Sequence, residues 1–174
     1  HGAHLPVLIV RSHPQEDGTF RTMACHHPAS AAAIGATLKQ LHWSKETDGT
    51  VIGVAESMLA GPLPSWLEKR VRDPDTAAIA QAWQAEHDDE VHTLSSKLEA
   101  FQTILPQCFH GKPPIIVEGN PGDRILEQAK KDRTDLITIG RTPTDKLSRW
   151  LLGSTSEAVL SHATASVLVV PVEK

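Results

Sequence analysis

The stretch ITIGRTPTDKLSRWLLGSTSEAVLSHATASVLVVP, residues 137–171, contains a strand, a loop, a helix and a second strand in that order. Its two ends, ITIG and ASVLVVP, are short runs of β-branched and aliphatic residues, a pattern typical of strands covered on both faces. Between them, STSEAVLSHA is expected to form a helix. This arrangement predicts a βαβ unit whose two strands are parallel.

The same alternation continues towards the start of the chain. A long helix is expected before residue 105, because apolar residues recur there every three or four positions. We therefore expect an α/β fold, a doubly wound, Rossmann-like sheet of five parallel strands with helices on both faces, and ligands at the carboxyl ends of the strands. The other strands are expected in FRTMAC (20–25), GTVIGVAES (49–57), PPIIVEG (113–119) and TDLITIG (134–140).

An extra strand, LPVLIV, is expected at residues 5–10, where Val7 to Val10 resemble Val167 to Val170 of the closing strand. An apolar edge strand needs a cover, so we expect residues 5–10 to pair antiparallel with residues 166–171. The alternative is a chance β-rich tag or an ordinary edge strand of this domain.

The likeness of the two strands also predicts how the chain divides into domains. Residues 1–18 are expected to be the last strand of a preceding, similar domain followed by a linker, and residues 19–174 the domain itself. The chain does not begin with Met, and we expect it to be a fragment of a longer protein.

Composition narrows the function classes. The net charge of −4 and pI of about 6.2 give no basic face, so nucleic acid is not an expected partner. The apolar runs are too short to span a bilayer, so direct membrane insertion is not expected either. Cys25 and Cys108 are far apart, which favours a reducing compartment and a cytoplasmic location, or the cytosolic domain of a membrane protein.

Two interpretations fit the region after Gly140. Gly153 and Ser154 open a helix thirteen residues after Gly140, and free N–H groups at a helix start can cradle a phosphate. Alternatively, Ser154 and Glu157 form an S-x-x-E capping box that satisfies the same donors without a ligand. The residues alone leave both open.

Metal and catalytic sites are not expected. His87 and His92 lie five residues apart on a helix and point in different directions. Cys25, His26 and His27 are neighbours at a strand end and supply at most two converging ligands. We find no Ser/His/Asp ordering, paired loop carboxylates or phosphate-loop lysine, so an enzyme is not expected.

Two segments carry a resemblance to a known family. LSRWLLGSTSEAVLSHATASVLVVP (147–171) and VEGNPGDRILEQA (117–129) resemble the universal stress protein family, strongly from Ile116 to Val172 and more weakly from Phe20 to Ser57. ATP-binding members carry G-x2-G-x9-G-[S/T] at Gly140. In this chain Pro143 occupies the second glycine position, and His26 occupies the position of an Asp.

The resemblance implies a nucleotide pocket at the carboxyl edge of the sheet. It implies ATP as ligand, with Mg²⁺ when bound, and weakened binding because Pro143 lacks an N–H and His26 replaces a carboxylate. It also implies edge-strand dimerisation, or pairing of tandem domains within one chain, through Val167 to Val170. The implied nucleotide-binding residues are Ala24, His26, Ala55, Ile139, Gly140, Arg141, Thr142, Gly153, Ser154, Thr155 and Ser156.

Two functions therefore stay open. The first is a nucleotide-responsive regulatory or signalling domain of stress adaptation, which depends on Gly140, Gly153 and Ser154. The second is a nucleotide-free regulatory tail in the cytosol, attached to a bacterial transporter of the cation/proton antiporter or amino-acid permease type. Pro143 and His26 favour the second.

Overall fold

A computed structural model describes residues 5–11, 18–55, 74–141 and 153–172. Its strands are β1 (Val7–Ile9), β2 (Phe20–Cys25), β3 (Thr47–Ala55), β4 (Ile115–Glu118), β5 (Leu136–Arg141) and β6 (Ser166–Pro171). Its helices are α1 (Ala31–Lys39), α2 (Pro74–Thr103), α3 (Pro121–Lys131) and α4 (Ser154–His162), with a 3₁₀ turn at Gln107–Phe109.

The strands form one sheet in the order β1-β6-β5-β2-β3-β4. Strands β2 to β6 are parallel to one another, and β1 pairs antiparallel with β6. The five-stranded parallel sheet with an antiparallel N-terminal strand is thereby confirmed. The segment FRTMAC lies in the middle of the sheet, between β5 and β3, and its last four residues are buried.

Two apolar cores cover the two faces of the sheet. Helices α3 and α4 pack on one face, where Ile125 and Val159 meet strand residues such as Ile137. Helices α1 and α2 pack on the other face with Leu38 and Phe101. Alternating strand side chains feed the two cores, as expected for a sheet buried on both sides.

The apolar stripe of the long helix is partly as expected. Leu98 and Phe101 are buried under α2, whereas Leu105 is buried beyond the end of the helix, which stops at Thr103. The side chains of Trp83 and His87 lie outside the described part of the chain. No helix among the described residues is both long and apolar enough to cross a membrane.

The N-terminal strand pairs within its own chain. Val7, Leu8 and Ile9 lie opposite Val169, Leu168 and Val167. Arg11 fixes the end of this segment, because its backbone N–H donates to the Ser166 hydroxyl and its guanidinium donates to the carbonyls of Leu160 and Ala165. Strand β6 therefore has a hydrogen-bonded neighbour on each side.

Candidate functional site

A cavity of about 520 Å³ lies at the carboxyl ends of β5, β2 and β3. Its floor is apolar, formed by residues such as Ile52 and Ile139, and helix α2 and the starts of α3 and α4 contribute to its walls. Of the described residues, those that line it are Cys25, His26, His27, Pro28, Ile52, Val54, Ala55, Glu90, Thr93, Leu94, Lys97, Pro121, Ile125, Ile139, Gly140, Gly153, Ser154, Thr155 and Ser156. The volume is typical of a small-molecule pocket.

The strand order explains why the cavity forms at this place. From β2 the chain crosses to β3 on one side, and β5 later returns to the other side of β2. Helices therefore leave β2 and β5 in opposite directions and open a crevice at the carboxyl ends of these strands. His26, which follows β2, and Gly140, near the end of β5, lie on the two sides of that crevice.

The start of α4 faces the cavity without a side-chain cap. The residue before the helix is Gly153, in an extended conformation (φ −59°, ψ 152°), and no side chain caps the helix. The first amides of a helix have no intrahelical acceptor, so those of Ser154 to Ser156 are available to an anion. The predicted capping box was therefore wrong: the cap residue is Gly153, and Ser154 is already the first helical residue.

Another serine connects the helix to the sheet. The buried Ser156 hydroxyl donates to the Gly140 carbonyl at 3.0 Å, which holds the first turn of α4 against the end of β5. The two loop ends that flank residues 142–152 are thus fixed relative to each other by a hydrogen bond as well as by the sheet.

We expect Ser156→Ala to cost about 1 kcal/mol of unfolding free energy, because a buried hydrogen bond is lost. Ser154→Ala should change the unfolding free energy by less than about 0.5 kcal/mol, since its side chain is exposed and caps nothing. Urea denaturation of both variants measures the difference. A larger loss for Ser154→Ala would restore the capping box.

His26 is the polar group on the floor side of the crevice. Its backbone N–H donates to the Ile52 carbonyl at 2.8 Å, and its ring meets the ring of Phe101 with centroids 5.3 Å apart. Burial lowers the pKa of His26 below its ordinary value, and electrostatic interaction with the neighbouring His27 and Lys97 lowers it further. The imidazole is therefore mostly neutral at pH 7.

The structure brings most of the sequence-predicted site residues together. Ala24 is not among them. It lies within β2, two residues before His26, and is fully buried in the core formed with α1 and α2. Arg141 ends β5 opposite Pro171 and does not line the cavity. Thr142 and Pro143 lie outside the described residues. Those that line the cavity are His26, Ala55, Ile139, Gly140, Gly153, Ser154, Thr155 and Ser156.

Sequence reasoning missed the contribution of the helices. Glu90, Thr93, Leu94 and Lys97 of α2 line the cavity at spacings of three and four residues, as one stripe of a helix. That spacing was a possible signal, but the same helix carries a second, more apolar stripe that dominates its pattern. The nearby start of α3 adds Pro121.

The cavity fits a nucleotide better than it fits a metal ion. The apolar floor suits a base, and the α4 amides suit a phosphate. In the described part of the chain, Glu90 is the only carboxylate in the lining, and no group of three His, Cys, Asp or Glu side chains could hold a metal ion. A Mg²⁺ ion would therefore be held chiefly by the phosphates of a bound nucleotide.

Comparison with known sequences gives one group of relatives. The chain is 32% identical over 91 residues to Universal stress protein Slr1101 of Synechocystis sp., covering 52% of this chain and 81% of that protein. At this level of identity and coverage, the two proteins share a family.

Solved structures show the same fold. Protein PA1789 of Pseudomonas aeruginosa matches with a TM-score of 0.63 and 17% identity over 98% of this chain, which spans about half (53%) of that longer chain. A universal stress protein family protein of Arabidopsis thaliana with AMP bound matches with a TM-score of 0.51 and 16% identity, covering 88% of this chain and 92% of that one. A universal stress protein in complex with cAMP matches with a TM-score of 0.50 and 16% identity, covering 89% and 98%.

The family model gives the same assignment along most of the sequence. It matches residues 29–171, which include all the described helices, the four strands β3 to β6, and the α4 side of the cavity. Strand order, cavity position and sequence relatives agree with it. The chain belongs to the Universal stress protein family.

Proposed function

We propose that this chain is a regulatory domain that binds an adenine nucleotide at the cavity between β2 and β5. The observation that carries the proposal is the uncapped start of α4, which faces an apolar cavity at the switch point of the sheet. The AMP in the Arabidopsis relative and the cAMP in the second relative support the ligand class. The chain acts by binding, in stress adaptation, rather than by turnover.

The residues around the crevice also bear on how many phosphates the ligand carries. The α4 amides offer donors to a phosphate at the cavity. ATP, with Mg²⁺ held by its own phosphates, binds more weakly, because Pro143 supplies no amide and His26 supplies no carboxylate. We therefore expect AMP and ADP to bind at least as tightly as ATP.

Titration calorimetry with AMP, ADP and ATP tests this proposal, using Ser154→Glu as the blocking variant. Glutamate at the first helical position is compatible with the helix dipole, so the fold is retained, but its charge repels a phosphate. We expect at least tenfold weaker AMP binding in Ser154→Glu. The exposed Thr164→Glu, beyond the other end of α4, is the matched control and should bind as the wild type does. Equal binding by both variants would place the nucleotide elsewhere.

A second candidate is a regulatory domain without nucleotide, such as the cytosolic tail of a bacterial transporter. Two contacts favour it. A side chain at Gly140 would overlap Ser30, so packing alone explains that glycine, and His26 is engaged with Phe101. No heat with any adenine nucleotide in the titrations above would select this candidate. In either case we place the domain in the cytoplasm.

The pairing of domains is the third part of the proposal. The side chains of β1 and its flanks are exposed: Leu5 by 75%, Leu8 by 53% and Val10 by 71%. We infer that residues 1–18 are the last strand and linker of a preceding, similar domain, whose own helices cover these side chains. The coverage of 98% against the longer Pseudomonas chain, compared with 88% against the Arabidopsis chain, supports this inference.

Direct dimerisation through the edge of β6 is less compatible with this arrangement. Val167 to Val169 are already paired with β1 of the same chain. A second copy can reach that edge only if β1 leaves it. Tandem pairing is therefore the form of association that we propose.

A further inference from the structure

We infer that Lys97 is the phosphate-binding cation of this domain, so that the cavity selects ligands that carry a phosphate monoester or diphosphate. The inference rests on the proposed nucleotide site and adds a residue that the sequence motif does not contain. It assigns the ligand's charge to a side chain of α2, whereas the motif residues lie on β5 and α4.

The position of Lys97 follows from the helix that carries it. Phe101, one turn further along α2, lies against the ring of His26, and Leu98 is packed on Gly53 of β3. These two contacts fix the rotation of α2, and Lys97 then falls on the stripe that faces the cavity. Because α2 and α4 cover opposite faces of the sheet, Lys97 and the α4 amides approach the crevice from opposite sides.

Among the described residues, Lys97 has no ion-pair partner. Glu90, the one lining carboxylate, lies two helical turns away on α2, about 10 Å along the axis. The histidines His26 and His27 lie on the same side of the crevice and offer no negative charge.

An anion therefore meets positive potential from two directions. The α4 terminus carries a partial positive charge, and Lys97 adds a full charge across a cavity whose floor is apolar. A flexible ammonium group suits a phosphate whose position is fixed by backbone amides. A neutral nucleoside gains from the apolar floor but not from Lys97, and this difference makes the inference testable.

The experiment compares AMP, adenosine and pyrophosphate on the wild type and on Lys97→Met, which keeps the length of the side chain. We expect AMP affinity to fall about tenfold or more, because one charge-assisted hydrogen bond is lost, whereas adenosine affinity stays unchanged. Lys97→Arg should restore most of the AMP affinity. Lys130→Met, an exposed lysine at the far end of α3, is the matched control and should bind AMP normally.

A readout independent of nucleotide uses the ring of His26. Because the charge of Lys97 contributes to lowering the pKa of His26, Lys97→Met should raise that pKa in an NMR titration of the free protein, while Lys130→Met should not. An unchanged pKa would show that Lys97 does not face the crevice and would overturn the inference.

The outcomes separate this inference from the proposed function. Wild-type binding of AMP with no loss in Lys97→Met leaves the proposed function standing and overturns the inference. Binding of pyrophosphate that depends on Lys97, with no selective gain for AMP, keeps the inference and overturns the nucleotide proposal. Wild-type protein that binds none of the three ligands overturns both.

Discussion

Gly140→Ala is expected to lower the unfolding free energy by about 1 to 3 kcal/mol, as overpacking of a close contact does. A Cβ at position 140 would overlap both Cβ and Oγ of Ser30, which is fully buried at the start of α1. The Ser30 Oγ can rotate away, but its Cβ is fixed by the backbone, so the relief must come from a shift of residue 30 and the start of α1 against β5. Chemical denaturation with urea measures the loss.

The cause is tested by removing the obstacle. In a Gly140→Ala, Ser30→Gly double variant, the nearest remaining atom is the Cα of residue 30 at 3.6 Å, an ordinary contact. We expect the double variant to be more stable than the sum of the two single changes predicts, by about 1 kcal/mol or more. Gly111→Ala is the matched control, because nothing lies within 4 Å of its added Cβ. Additive single effects would place the strain elsewhere.

This result would also bear on the glycine motif. The sequence motif predicts that a phosphate approaches the glycine at the end of β5. In the structure, Ser30 at the start of α1 lies against this glycine. If the double variant folds and still binds AMP, Gly140 serves packing. If it folds and loses AMP, the glycine serves both packing and the ligand.

Much of the fold could be predicted because its strands are short apolar runs separated by helices. The parallel sheet, the antiparallel pairing of residues 5–10 with the closing strand, and the position of the cavity all follow from that alternation. The β-branched composition of the two end strands was sufficient for their pairing, because an apolar edge needs a neighbour.

The details of the site could not be predicted from local patterns. The S-x-x-E pattern forms a capping box only if its serine is the residue just before the helix. In the structure that residue is Gly153, and Ser154 is the first residue of the helix. The family resemblance implied Ala24 as a site residue, yet the cavity lies at the strand end, where Cys25 and the residues after it line it, and Ala24 is buried in the core. Lys97 belongs to no sequence motif. Its proposed role depends on the rotation of α2, which is fixed by the contacts of Leu98 and Phe101 with the sheet side of the crevice.

The exposed side chains of β1 give the other large effect. We expect the 174-residue chain to associate with itself as its concentration rises, because Leu5, Val7, Leu8 and Val10 present apolar surface that no helix of this domain covers in the described structure. Leu5→Asp with Val10→Asp should abolish this association and leave the fold intact, since both side chains are more than 70% exposed and neither residue is within β1 itself. Sedimentation velocity over a range of concentrations measures it.

Deleting residues 1–11 tests a second cause of association, the edge of β6 that β1 protects, separately from the exposed side chains of β1 and its flanks. The deletion removes the pairing with Val167 to Val169 and the hydrogen bonds of Arg11, so β6 becomes an open apolar edge. We expect this variant to be less stable than the wild type and to form dimers or larger aggregates through β6. Monomeric behaviour of the 174-residue chain at high concentration would count against the proposal that a preceding, similar domain covers these side chains. A monomeric deletion variant with an unchanged denaturation midpoint would instead show that β1 neither stabilises the domain nor protects the edge of β6. The two predictions are independent, so either can fail without the other.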